Sequence, residues 1–317
     1  MGSPEYLFQL MKHLFWGFGI ALAYGVATSA AFWFIEPAGD FQKYLDAYFI
    51  SFNCLISGGL IVGTALFVLF SQHGIPSFIE STFDAQSLRE TSYREQRAKY
   101  LSLRRSMTFS TYFIVAGFLI FFYCKFPLHG ASEYSMIFFA CLEYALGVYV
   151  GRKLFYIGKM LNSISNIKLT KDIFRDDALG YVTSYVNVLS TLTIVFVYVH
   201  VTSYYNGPFK FDSVVGNSLH VALMLPAVIA TPVLVIFNFY PRTVLRKLYR
   251  RSIDDEVRNL TEKLRDENLS EFERMSYIIQ YDKLSKDELG DRLRLALSDL
   301  PIGITIIIMI IGLVIKH

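Results

Sequence analysis

Long apolar runs alternate with shorter charged stretches along the chain, and the apolar runs are too long to be strands or half-buried soluble helices. A helix rises 1.5 Å per residue, so about 20 apolar residues cross a hydrocarbon core of about 30 Å. Seven runs approach that length: 14–35, 49–70, 107–123, 135–150, 181–204, 214–239 and 300–315. The last is short for a crossing, but its isoleucine density and lack of charge favour one. The first run is longer and more aromatic than the apolar region of a signal peptide, so it is expected to be a span. The pattern predicts an all-α, polytopic membrane protein with about seven transmembrane helices. They form three hairpins and a lone C-terminal span, with a small cytoplasmic helical region.

Composition agrees. Hydrophobic residues make up 53% and charged residues 18% of the 317 positions, and mean hydropathy is +0.39. A soluble domain carries about 25% charged residues. This excludes disorder and an ordinary soluble enzyme, and three Cys cannot staple a disulfide scaffold. Cys54, Cys124 and Cys141 lie in or beside spans, as packing residues do.

Net charge is only +3, but its distribution is informative. If seven spans alternate sides, 26 Lys and Arg fall in the gaps 1–13, 71–106, 151–180 and 240–299. Only Lys43, Lys125, Lys210 and Lys316 fall in the others. Short basic loops stay cytoplasmic, which predicts an inner- or plasma-membrane protein with its N-terminus inside and its C-terminus outside. The expected organisation is a transmembrane domain over 1–240, with cytoplasmic helical loops 71–106 and 151–180. A cytoplasmic helical region over 241–299 and a terminal span over 300–317 follow.

Helices in lipid associate through small residues. The first span carries Ala21, Gly25 and Ser29 in one row and Ala23, Ala27 and Ala31 in another. The second carries Gly59 and Gly63, and the fourth Gly147 and Gly151. Such rows serve packing within one bundle or self-association.

Glu143 is the only carboxylate inside an expected span, and it shares the face of Gly147 and Gly151. A buried carboxylate needs a hydrogen-bonding partner. The polar face of the fifth span, Ser184, Asn187 and Thr191 with Thr183 and Ser190 beside it, and the Tyr residues are the expected sources. An intramembrane ionisable group is a functional-site hypothesis by default; the bland alternative is a neutral Glu holding two helices together. Asn53, and Pro226 and Pro232 in the sixth span, extend the candidate ion path. The prolines each remove a helix hydrogen bond and are expected to bend or open that span.

His200 and His220 flank one outer loop and read as hydrated interfacial residues, too poor a pair for haem. No metal-ligating, nucleophile or phosphate-loop motif is found, so no cofactor or metal is expected. Asp172 and Asp176 with Asp287 and Asp291 could hold Mg²⁺ on a diphosphate, as in membrane prenyltransferases, but the richer motif of those enzymes is missing.

On the cytoplasmic side, Arg242, Arg246, Lys247, Arg250 and Arg251 are expected to meet anionic lipid headgroups. No nucleic-acid-reading pattern accompanies them. Ile253, Val257, Leu260 and Leu264 form a heptad-like stripe expected to face a partner. Capping boxes at Ser270–Glu273 and Ser285–Glu288 predict two further helices, and 82–105 reads as one charged helix anchored by Leu88, Tyr93, Tyr100 and Leu101.

Two functions fit. In the first, a non-enzymatic membrane protein oligomerises through its small-residue faces, and its cytoplasmic helices receive a protein partner or signal, as a pore-forming or membrane-effector assembly. In the second, it is an ion or small-solute transporter or channel using Glu143 and the proline-bearing sixth span.

Overall fold

A computed structural model describes residues 4–36, 38–45, 48–49, 53–83, 85–104, 131–165, 180–206, 214–265 and 269–282, with a few positions around 107–115 and Ile167; over 201–206 and 214–235 it describes the backbone only. The described chain is helical, with no strand. The elements are α1 (Pro4–Trp33), α2 (Ala38–Leu45), α3 (Asn53–Ser71), α4 (Gly74–Thr82), α5 (Ala85–Arg89) and α6 (Tyr93–Leu101). Then come α7 (Ala131–Ser163), α8 (Gly180–Asn206), α9 (Val214–Leu264) and a last helix, α10, over 271–282.

Among the described residues, three segments are long and apolar enough to cross a membrane: Phe8–Trp33, Cys54–Ser71 and Gly180–His200. They correspond to the first, second and fifth expected spans, and they support a membrane location. The third expected span falls largely outside the described residues, and the seventh wholly so. α1 turns large apolar side chains outward, among them Phe15, Trp16, Val26 and Trp33. That surface suits lipid and would be costly in water.

α1 ends shortly before Pro37, which disfavours helical backbone just ahead of it. The chain then returns as α3, antiparallel to α1. The two helices meet backbone to backbone. A Cβ built on Gly17 would lie 2.3 Å from the Gly63 nitrogen and 2.4 Å from the Gly59 oxygen. Only glycine permits that approach. Gly17 lies one turn before Ala21 and two before Gly25, so it extends the small-residue row read from the sequence. α3 in turn packs on α7 and α8, and these three helices enclose the main core, with Ile61, Val68, Val148, Leu154, Val186 and Leu189 buried along it.

The segment expected as one charged helix over 82–105 is instead divided. Phe83 is extended and ends α4, and a turn at 90–92 separates α5 from α6. The apolar residues of this segment lack a continuous helical period, so burying all of them needs breaks. Three expected anchors, Leu88, Tyr93 and Tyr100, are buried, and Leu101 is half-buried. α4–α6 close one end of the α3/α7/α8 core.

α9 remains α-helical through Pro226 and Pro232. The opening expected there is absent: each proline removes one hydrogen bond without ending the helix. The Ser270–Glu273 capping box forms as expected. The Ser270 amide donates to Glu273 Oε2 at 3.1 Å, and the Glu273 amide donates to Ser270 Oγ at 3.3 Å. Ser285–Glu288 and the four Asp of the prenyltransferase pattern lie outside the described residues.

Candidate functional site

Glu143 lies in the first half of α7, on the face shared by α3 and α8, and is 1% exposed. Both carboxylate oxygens are engaged from other helices. Ser57 Oγ of α3 donates to Oε1 at 2.6 Å. His200 Nδ1 of α8 lies 2.8 Å from Oε2, and both side chains are 1% exposed. One side chain therefore ties three helices together away from solvent.

The surroundings hold this geometry. The Tyr144 ring meets the His200 imidazole edge-on at 4.5 Å, and Phe196 lies against both rings. A Cβ on Gly58 would fall 3.1 Å from Glu143 Oε1 and 2.5 Å from the Phe139 ring. Glycine at 58 therefore makes room for the carboxylate and its aromatic cover. Tyr144 and Ser190 are fully buried, and among the described residues their hydroxyls find no hydrogen-bond partner.

No family model, curated protein or solved structure matches the chain. Its chemistry must be read from the site itself.

A carboxyl group and an imidazole sharing one proton have no net charge, whether written as ion pair or as neutral partners. A second proton makes the pair cationic, and loss of the shared one makes it anionic. Either change places an uncompensated charge among apolar helices, where it is expensive. The site can therefore link proton occupancy to the packing of α3, α7 and α8. Among the described residues, no cluster of three metal-ligating side chains is present.

The structure brings few of the other expected path residues to Glu143. Ser184 and Asn187 are half-buried and Thr191 is exposed, so that polar stripe faces away. Asn53 begins α3, but its side chain lies outside the described residues, as do those of Pro226 and Pro232. Ser57 and His200 take the place of the expected partners. His200 is fully buried, not hydrated at an interface as the sequence suggested. A signal was available: Tyr185, Leu189, Phe196 and His200 recur at helical spacing on the buried face of α8.

The small-residue rows are largely used inside the chain. Ala21, Gly25, Gly59, Gly63, Gly147 and Gly151 face the interior or are half-buried against it, and Ser29 is half-buried. Gly25 abuts the Tyr48 ring. Ala23, Ala27 and Ala31 point outward.

The basic cluster divides. Arg242 is buried, and burial beside Arg246 holds its guanidinium down to about 10, below the usual arginine value. Lys247 and Arg250 are exposed, Arg246 is half-buried, and Arg251 reaches the Ser165 carbonyl at 2.8 Å. Only part of the cluster is thus free to face headgroups. Ile253 and Leu260 of the expected partner-facing stripe are buried within the chain, while Val257 and Leu264 are half-buried. Nearby, Lys263 lies over the Tyr277 ring of α10.

Proposed function

We propose that this is a multi-pass membrane protein that moves an ion or small solute, with Glu143 as its proton or cation site. The supporting observation is the Ser57–Glu143–His200 bridge: two ionisable groups, sealed from solvent, joining three apolar helices. A purely structural joint of this kind is achieved more cheaply by apolar side chains. An ionisable pair adds a property that packing lacks, a charge that changes with proton binding. The proposal carries with it about seven spans, a cytoplasmic N-terminus inferred from the cation distribution, and a non-enzymatic role. The observation that weighs against self-association as the main purpose is internal use of the Gly17, Gly59 and Gly63 contact.

The test is flux into liposomes driven by a pH gradient, comparing wild type with Glu143→Gln. The amide keeps the shape of the side chain but not its charge. Wild-type flux with loss in the variant is expected. Equal flux in both, or none in either, would remove the transport reading.

The assembly reading retains one specific support. On α10, Phe272, Met275, Ile278 and Ile279 are exposed, 52–84% each, and present an uncovered apolar face. A stable oligomer in mild detergent that survives loss of flux, and that falls apart on truncation of 252–299, would favour a cytoplasmic partner-binding role.

A further inference from the structure

The opposite end of the same three-helix core holds a second buried charge. Lys153 follows Glu143 by ten positions on α7, about 15 Å along the helix axis. It lies beyond the expected span yet is fully buried. Its Nζ donates to the Tyr100 backbone carbonyl and, at 3.3 Å, to Gln72 Oε1. It also sits over the Tyr100 ring at 4.9 Å and the Tyr149 ring at 5.6 Å.

Among the described residues, the surrounding groups are neutral or basic. α6 supplies Tyr100. α3 and the residue after it supply Ser71 and Gln72. α8 supplies Tyr185, whose hydroxyl lies 3.0 Å from Ser71 Oγ, and Tyr181. On its own helix the neighbours are Tyr149 and Arg152. α9 meets α7 further on, with Tyr240 against Phe155 and Gly158. Among the described residues, no carboxylate forms an ion pair with Lys153: Glu95 pairs with Lys99 and Glu80 with Arg97, both at the surface.

Tyr100 lies in the last turn of α6, where carbonyls lack helical donors. Lys153 donates to that end from α7, so its charge state bears on how firmly α6 is held. The α4–α6 segment also buries Ile75, Ile79, Leu88 and Tyr93, and the Tyr93 hydroxyl donates to the Pro76 carbonyl at 3.2 Å. These helices lie across the end of the core opposite the Glu143 bridge.

We propose that Lys153 is a second proton-binding site, and that its protonation loosens α6 from the bundle while the neutral amine keeps that end closed. The use of such a closure rests on the transport reading; its existence does not. The direction follows from linkage. Burial, with the Arg152 charge adding to it, holds the Lys153 ammonium down to about 8, from a free value of 10.5. The closed arrangement therefore binds the proton less well than an open one. Closure strengthens as pH rises from about 8 towards 10.5, and it is weakest and flat below about 8. Across that window the closing equilibrium should change by about two orders of magnitude.

The experiment is amide hydrogen exchange of residues 93–101 in the full chain in detergent, with the intrinsic pH dependence of exchange divided out and α3 amides as reference. In wild type, protection should rise at least about tenfold between pH 7.5 and 10. Lys153→Met should already be protected at pH 7.5 and show no further rise. Lys153→Arg, charged throughout, should stay at the low level. Wild-type protection that is flat, or the same rise in Lys153→Arg, overturns the proposal. Should Lys153→Met fail to fold, wild type against Lys153→Arg decides the matter alone. No flux enters this measurement, so its failure leaves the Glu143 test standing, and failure of that test leaves this one.

Discussion

Removing either member of the Glu143–His200 pair should cost far more than removing both. In His200→Leu the carboxylate keeps Ser57 but loses its imidazole, 2.8 Å away in the wild type. Orphaning a fully buried charge costs about 3–5 kcal/mol in a soluble interior. In a bilayer the unfolded reference also finds partners, and interhelical hydrogen bonds there average about 0.6 kcal/mol. About 2–3 kcal/mol is therefore expected for His200→Leu, and a similar loss for Glu143→Met. Methionine suits position 143 because an unbranched chain clears Gly58. In the double variant no ionisable group remains unpaired. The Ser57 hydroxyl can turn to the carbonyl four residues back in its own helix, so the loss falls to about 1 kcal/mol. The two positions should show a coupling of about 3–5 kcal/mol. Reversible unfolding of the detergent-solubilised protein by increasing SDS fraction measures all four species. Single losses under about 1 kcal/mol, or a double variant equal to the sum of the singles, would falsify the bridge as described.

Gly17→Ala should destabilise by about 1–3 kcal/mol, because the new methyl meets the α3 backbone and the two helices must part. Gly19→Ala is its control: nothing lies within 4 Å of the new methyl, and helix propensity should make it neutral or stabilising by up to about 1 kcal/mol. Thermal unfolding of the pair separates the two outcomes. Ser270→Ala should cost the start of α10 about 1 kcal/mol, seen as faster amide exchange over 271–274 with α3 unchanged. Tyr24→Phe loses a hydroxyl that lies 2.7 Å from Ser135 Oγ between α1 and α7, and should lower stability by about 0.5–1.5 kcal/mol in the same unfolding assay.

Apolar run length was enough to read the all-helical architecture, and Glu143 was visible as the lone acid within an apolar stretch. Its partners were harder to read. Residue spacing shows which positions share one helix face; it does not show which face meets which helix. The polar stripe Ser184, Asn187 and Thr191 looked like the natural donor, yet α8 turns its aromatic and aliphatic face inward, and His200 rides on that face. Lys153 was hidden for a related reason. In the sequence it is one of many cations beyond a span, and only the return of α6 over α7 buries it. The capping box at Ser270 was legible because it is wholly local, needing four consecutive residues and no knowledge of neighbours.

α9 joins the expected sixth span to the polar region without a break, 51 residues in one helix. At 1.5 Å per residue it is about 76 Å long, more than twice the thickness of a hydrocarbon core. Such an element works as a lever: a tilt of about 5° displaces a point about 40 Å along it by roughly 3.5 Å. Its middle section is clamped to α7 through Tyr240 on Phe155, and to the turn just after α7 through Arg251 on the Ser165 carbonyl. The helix that carries Glu143 and Lys153 is thus also the fulcrum. A shift of α7 by less than a side chain's width would reach the far tip of α9 enlarged.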